Sequence, residues 1–384
     1  MIIQIINLSY QDVFKTYSSR YKIYRDVYQK GLFGLELRDI RPKLADIVQK
    51  IVLKEKQICY KHKQDDNHLN LFIPGSIWDF KDLSRRVLSS GDEDLGYKLI
   101  NVIKNYEEYE LKSFNIGDKE FLFNNTYIMG IINVTPDSFS DGGLYNSPES
   151  AVEHALNMIN SGVNIVDIGG ESTRPGSKPV PVDEEISRVI PVVEKILSLN
   201  KNAIISVDTT KSKVAGEALK AGAKIINDIS AGEFDPEIIN VTAEYNAALI
   251  LMHMKGTPAD MQVNPFYTDV VEEIYDFLFE KTQKAAKAGV KNIFVDPGIG
   301  FGKRIEDNFE IIRRLEDFKC LGYPVVIGIS RKSFIGKTLG LDTDKRDTAT
   351  AILESVAVKN GARIIRTHNT FYGLQVTKLL NNIL

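Results

Sequence analysis

The stretch YIMGIIN, residues 127–133, is apolar on both faces and then breaks into VTPDSFSDGG, 134–143, a polar loop with a phenylalanine at its centre. A strand with no polar face belongs inside a parallel sheet covered by helices. Working outward, the same unit recurs. Short apolar runs at VNIVDIGG (163–170), AIISVD (203–208), AKIINDI (223–229), AALILMHM (247–254), KNIFVDPG (291–298), PVVIGIS (324–330) and ARIIRT (362–367) each precede a segment of helical period. Those segments are 148–161, 183–199, 211–221, 235–245, 268–288, 305–317, 345–360 and 370–384, and Ser147-Pro148-Glu149 and Pro181-Val182-Asp183 are good helix starts. Eight strand–helix pairs over residues 127–384 predict an α/β fold, a closed (β/α)8 TIM barrel. A doubly wound open sheet is the alternative.

A barrel makes one demand: chemistry gathers at the C-terminal ends of the strands. Those ends read Asn133, then Gly169-Gly170-Glu171-Ser172-Thr173-Arg174, Asp208, Asn227-Asp228, His253, Asp296, Ser330-Arg331-Lys332-Ser333, and Arg366 with His368. Every one is polar or charged. Upstream, residues 1–110 are irregular in pattern, with helical spacing over 79–89 and 93–109, and form a smaller α+β extension of unassigned role. Residues 111–384 are the barrel domain, opened by LKSFNIGDKEFLF (111–123), two short strands about Gly117-Asp118 that predict a hairpin within 111–126.

The totals bound the function. The 384 residues, 43% hydrophobic and 26% charged, build a sizeable soluble core. A net charge of −3 offers no field for a polyanion, so nucleic acid is not an expected partner. The opening MIIQIINLSYQD is too short to span a membrane and lacks a basic start, so no membrane association is expected and the compartment reads as cytoplasmic. Cys59 and Cys320, far apart, suit a reducing compartment. Cys59, His62 and His68 lie close in sequence, but no fourth ligand appears at zinc-finger spacing.

Two constellations carry chemistry. Asp208, Asn227, Asp296 and Lys332 combine acceptors for paired N–H groups with one ammonium donor. They suit the edge of a flat heterocycle such as a 2-amino-4-oxo-pyrimidine; singly, each is equally a strand-end cap or half of an ion pair. Arg174, Arg366 and His368 offer planar or ring donors for phosphate oxygens. Asn133 adds an amide oxygen for Mg²⁺, a hard cation that keeps its waters around a phosphate. The glycines and prolines of GGESTRPGSKPVP shape a loop beyond what surface filler needs. Gly298-x-Gly300-x-Gly302-Lys303 and Ile335-Gly336-Lys337-Thr338 imitate nucleotide loops without their spacing, so neither ATP nor a dinucleotide is expected. His154, Met254 and Trp78 read as helix-face or core residues.

Taken in order, NVTPDSFSDGG (133–143), GGESTRPG (169–176), VDT (207–209), NDIS (227–230), MHMKGTP (252–258), DPGIGFGK (296–303), SRKSFIG (330–336) and R-x-H (366–368) resemble the dihydropteroate synthase family of folate biosynthesis. The resemblance covers residues 127–384 and implies the joining of p-aminobenzoate to 7,8-dihydropterin-6-ylmethyl diphosphate, with release of pyrophosphate. It implies that Asp208, Asn227, Asp296 and Lys332 hold the pterin and that Asn133 ligates Mg²⁺. It further implies that Asn133, Arg174, Arg366 and His368 take the diphosphate, and that loops 134–143 and 171–179 close over the site. Phe139, Thr173, Pro175, Phe301 and Ser333 would border the p-aminobenzoate, and Asp141 would pair with Arg174. Asp141, Arg174, Lys332, Arg366 and His368 are thereby assigned to catalysis. A homodimer and sulfonamide sensitivity are expected on the same ground.

Two departures stand out. Asn369 follows R-x-H where the family usually has Asp, which is expected to tune the orientation or charge of His368. The stretch 1–110 has no counterpart in the family core. Two rival functions share part of the pattern: a methyltetrahydrofolate–corrinoid methyltransferase, which would not need the phosphate cations or SRKS, and a catalytically altered pterin-binding paralogue, against which the intact site residues count.

Overall fold

The computed structural model describes residues 1–23, 32–63, 65, 67–135, 148–172, 177 and 179–383. Phe139, Asp141, Thr173, Arg174 and Pro175, and most of the two loops that carry them, lie outside the described residues. The chain divides into two units, Met1–Glu110 with Glu316–Gly322, and Leu111–Leu315 with Tyr323–Leu384.

The first unit is more regular than its sequence pattern suggests. Strands β1 (Ile2–Asn7), β2 (Phe33–Ile40), β3 (Tyr60–Lys63) and β4 (Leu69–Gly75) form an antiparallel sheet in the order β1-β2-β4-β3. Four helices accompany them, α1 (Gln11–Tyr21), α2 (Pro42–Lys54), α3 (Ile77–Ser89) and α4 (Glu93–Glu107). The third begins two residues before the expected start because Ser76 and Asp79 form a reciprocal capping box. In β2 polar residues alternate with apolar ones at a strand's period, and the polar ones are buried as well: Glu36 and Arg38, an ion pair at 2.5 Å, are 0% and 3% exposed. Tyr21 donates its hydroxyl to Glu36 at 2.6 Å, and Gln4 accepts from Arg38 at 2.9 Å, so this pair is hydrogen-bonded rather than stranded. Segment Leu315–Leu321, of which 315–317 were expected to finish a barrel helix, is 3-10. Its Cys320 Sγ accepts from the Ile5 N–H at 3.3 Å, within the first unit.

The second unit begins with the hairpin β5 (Ser113–Ile116) and β6 (Lys119–Leu122). Gly117 takes φ +58 in its turn, and the Phe114 ring meets Phe294 edge-on at 4.8 Å. Eight strands then close a parallel barrel: β7 (Tyr127–Asn133), β8 (Ile165–Gly169), β9 (Ile205–Asp208), β10 (Ile225–Asp228), β11 (Ala248–Met252), β12 (Asn292–Asp296), β13 (Val325–Ile327) and β14 (Ala362–Thr367). Pairing of β14 with β7, Ile364 opposite Tyr127, completes the ring. Helices α5 (Pro148–Asn160), α6 (Val182–Leu199), α7 (Ser212–Lys220), α8 (Glu237–Glu244), α9 (Val270–Lys287), α10 (Ile305–Arg313), α12 (Asp347–Lys359) and α13 (Thr370–Leu380) follow the strands, with a short extra helix, α11 (Ser333–Leu339), after β13. That helix was not foreseen, since SRKSFIG reads as a loop motif. The eight runs read from the sequence are the eight barrel strands, because apolar residues on both faces suit a strand packed inside and out.

Candidate active site

Barrel register builds the site. Asn133 lies opposite Gly169, Gly169 opposite Asp208, and Asp208 opposite Asn227, so one row runs along the rim of four neighbouring strands. The final residue of β12, Asp296, is buried and accepts the Gly298 N–H at 2.7 Å. From β14, Arg366 reaches back across the barrel. Its Nη2 donates to Asp208 at 2.7 Å and its Nε to Asp167 at 2.6 Å.

Asp167 is a member that sequence reading missed. It sits in the middle of VNIVDIGG, is wholly buried, and also accepts the Asn227 amide at 3.1 Å. The signal was available: a lone carboxylate in an otherwise apolar strand must have a charged partner. Asp167 thus orients two residues already singled out, Asn227 and Arg366.

The wall opposite is apolar and cationic. Ile229, Met252, Met261 and Phe301 form one buried cluster against which Met254 packs. The Lys332 ammonium lies 4.0 Å from the centre of the Phe301 ring. Behind it Lys303 is 3% exposed, 3.1 Å from His253 Nδ1, and donates to the Phe301 and His253 carbonyls at 3.0 and 3.3 Å. The glycine-rich stretch before Lys303 now has a physical reason. A Cβ on Gly298, φ +71, would fall 1.9 Å from the His253 carbonyl oxygen, and one on Gly302, φ +63, 2.2 Å from that of Lys255. The glycines let two loops press together.

Burial governs the electrostatics. It pushes the Asp208 carboxyl up to about 7 against the pull of Arg366, with Asp167 adding to the rise. Asp296 goes up to about 6, burial outweighing the Gly298 N–H, Lys332, Arg366 and Lys303. Burial, then Arg366, bring Lys332 down to about 8, and burial brings Lys303 down to about 7. His253 is held well below the usual range by burial and by Lys303. The result is a site whose acids and bases are poised near neutrality.

His368 is exposed at the rim, and both its N–H and its Nδ1 lie at the Ser330 hydroxyl, 3.2 and 3.1 Å away. Asn369 caps α13 through the Tyr372 N–H and donates to Asp347 at 2.7 Å. The Ser330 hydroxyl is one group against which the His368 ring is set. Ser333 is exposed at the start of α11 and borders a cavity of about 320 Å³ that Gln262, Gly300, Lys303, Asn308 and Lys337 also line. Asp208, Asn227 and Asp296 are not part of that lining.

A family model described as pterin binding enzyme matches residues 129–368. Dihydropteroate synthase of Bacillus subtilis is 45% identical over 261 residues, covering 67% of this chain and 89% of that protein. The chain belongs to the pterin-binding enzymes, among the dihydropteroate synthases. Solved members of the family agree in fold. The Yersinia pestis dihydropteroate synthase, in complex with a sulfonamide drug, superimposes with TM-score 0.67 and 36% identity over 71% of this chain and 99% of its own. The Xanthomonas albilineans dihydropteroate synthase with 4-aminobenzoic acid gives TM-score 0.65 and 37% identity over 71% and 97%. In this pterin-binding barrel, no helix among the described residues is long and apolar enough to cross a membrane.

Proposed function

We propose that the chain condenses 7,8-dihydropterin-6-ylmethyl diphosphate with p-aminobenzoate, releasing 7,8-dihydropteroate and pyrophosphate. One observation carries the reading beyond family membership. The row Asp208–Asn227, buried Asp296 and the Lys332 ammonium on Phe301 converge with Arg366 at a single barrel mouth. Acceptors paired with one ammonium suit the amino and oxo edge of a pterin, and the phenyl face suits its ring.

The chemistry follows from the charges. The C–O bond to diphosphate breaks first; its electron pair leaves with the phosphate, and the exocyclic carbon becomes a cation spread over the pterin. The buried carboxylates Asp208 and Asp296 stabilise that positive charge, most strongly where water is excluded. Arg366, His368 and Arg174 receive the departing anion. The neutral aromatic amine then attacks carbon and loses its proton, so no strong base is required.

A magnesium ion fits the donors present. Asn133 brings a half-buried amide oxygen to the rim row. That is the sparse, oxygen-only donor set of a cation that keeps its waters and leans on phosphate. Asn133 would hold it, and when bound it would neutralise charge on the leaving diphosphate.

The exposed apolar side chains Ile352, Val356, Phe371 and Leu379 of α12 and α13 support a homodimer. Two free thiols support a cytoplasmic setting. Sulfonamides, as p-aminobenzoate mimics, should inhibit. The deciding assay incubates purified protein with the pterin diphosphate, p-aminobenzoate and Mg²⁺ and measures pyrophosphate and dihydropteroate; absence of both products overturns the proposal.

A further inference from the structure

Arg331 immediately precedes Lys332 and holds φ +57, a conformation that residues with a side chain rarely adopt without being held there. The start of α12 holds it from three sides. Its N–H donates to Thr350 Oγ1 at 3.2 Å, and its carbonyl accepts from Arg346 Nη1 at 3.0 Å. Its guanidinium forks onto Asp347, Nε to Oδ1 at 2.7 Å and Nη2 to Oδ2 at 2.9 Å. The same Oδ2 accepts from Asn369 Nδ2 at 2.7 Å, and Asn369 directly follows His368.

We propose that Asp347 is a positioning residue that ties the Lys332 loop to the His368 loop, fixing the ring-binding ammonium relative to the imidazole at the rim. The proposal rests on the synthase reading for the roles of those two groups, though the tie itself does not. The amide at 369 is part of the device. It donates to a carboxylate already committed to Arg331; a carboxylate at 369 would instead face Asp347 at hydrogen-bond distance and repel it.

The test is an exchange of the two groups. Asn369→Asp sets two carboxylates together, and Asp347→Asn removes the charge that Arg331 grips. Each should lower kcat/KM for the pterin diphosphate by roughly tenfold or more, mainly through KM, with KM for p-aminobenzoate little changed. The double variant Asp347→Asn with Asn369→Asp restores an amide–carboxylate bond and one acceptor for Arg331, so it should recover to within about threefold of the parent. A double variant no better than the worse single one, or single variants within about twofold of the parent, overturns the proposal. Hydrogen exchange of the unmodified enzyme and of Asp347→Asn separates this from the activity. Faster exchange in both 330–336 and 368–373 is expected, and unchanged exchange in either segment refutes the tie even if no pyrophosphate is ever made. Failure of the parent enzyme to release pyrophosphate, with coupled exchange intact, refutes the proposed reaction alone.

Discussion

Arg366, at the end of β14, donates to Asp208, at the end of β9, across 2.7 Å and 158 positions of sequence. The residue read as a diphosphate ligand and a residue read as a pterin ligand are therefore one ion pair, with Asp167 as its third member. Their charges cannot be altered independently.

Replacing Arg366 should destabilise the fold as well as the reaction. Asp167 is wholly buried, and without the guanidinium it and Asp208 become uncompensated charges. Arg366→Gln should cost roughly 3–5 kcal/mol, seen as a lowered urea midpoint at unchanged m-value. An unshifted midpoint would mean the pair is not desolvated.

Lys332 makes one charged contact surface over Phe301, and truncation leaves nothing in its place. Lys332→Ala should lose roughly 2–4 kcal/mol in kcat/KM for the pterin diphosphate. Near-parental turnover in single-substrate kinetics would remove it from ring recognition.

The pH profile follows from three shifted groups. Asp296, raised to about 6, and Asp208, raised to about 7, must each lose a proton to accept from a ring, so activity rises with pH through about 6 to 7. Lys332, lowered to about 8, must keep its proton to donate, so activity falls above that value. A bell in log kcat/KM is expected, and in Lys332→Arg the descending arm should move to much higher pH. A descending arm unmoved in that variant would assign it to another group.

Glu354, buried on α12 beside Thr367, is pushed up to about 8 by burial from an ordinary 4.5. Its folded-state value is raised, so the unfolded chain loses this proton first as pH climbs. The stability it contributes is complete below about 4.5 and drains away towards 8. Glu354→Gln should therefore gain on the parent by roughly 4 kcal/mol between pH 5 and pH 8 in denaturant titrations. A difference independent of pH would show the carboxyl to be ionised in the folded protein.

Chelation tests the metal. Activity should vanish with excess chelator and return on adding Mg²⁺, and Asn133→Ala should raise the Mg²⁺ needed for half-maximal rate by about tenfold. Full activity in chelator would take Asn133 out of that role.

The barrel was legible because each strand is apolar on both faces and each helix carries its own period, signals contained within a few neighbouring residues. In the first unit the α+β class and the helices α3 and α4 were legible too, but its strands were not. In FGLELRDI the alternation of Glu36 and Arg38 with leucines reads as one solvent-facing side, whereas both are buried against each other and Tyr21. Lys303 was passed over for the opposite reason: its glycine-rich approach resembled a failed nucleotide loop, and the carbonyls it serves belong partly to another strand's loop.

By itself the sequence determined the order of the barrel's eight strands and the helix after each, the polar end of every barrel strand and the family motifs, all of which depend on local period and residue type. Tertiary structure alone decided which of those polar ends touch. Closing β14 onto β7 brings Arg366 to Asp167 and Asp208, and the packing of α12 sets Asp347 between Arg331 and Asn369. Such distances are fixed by the circumference and register of the ring, quantities shared by eight strands and written in none of them.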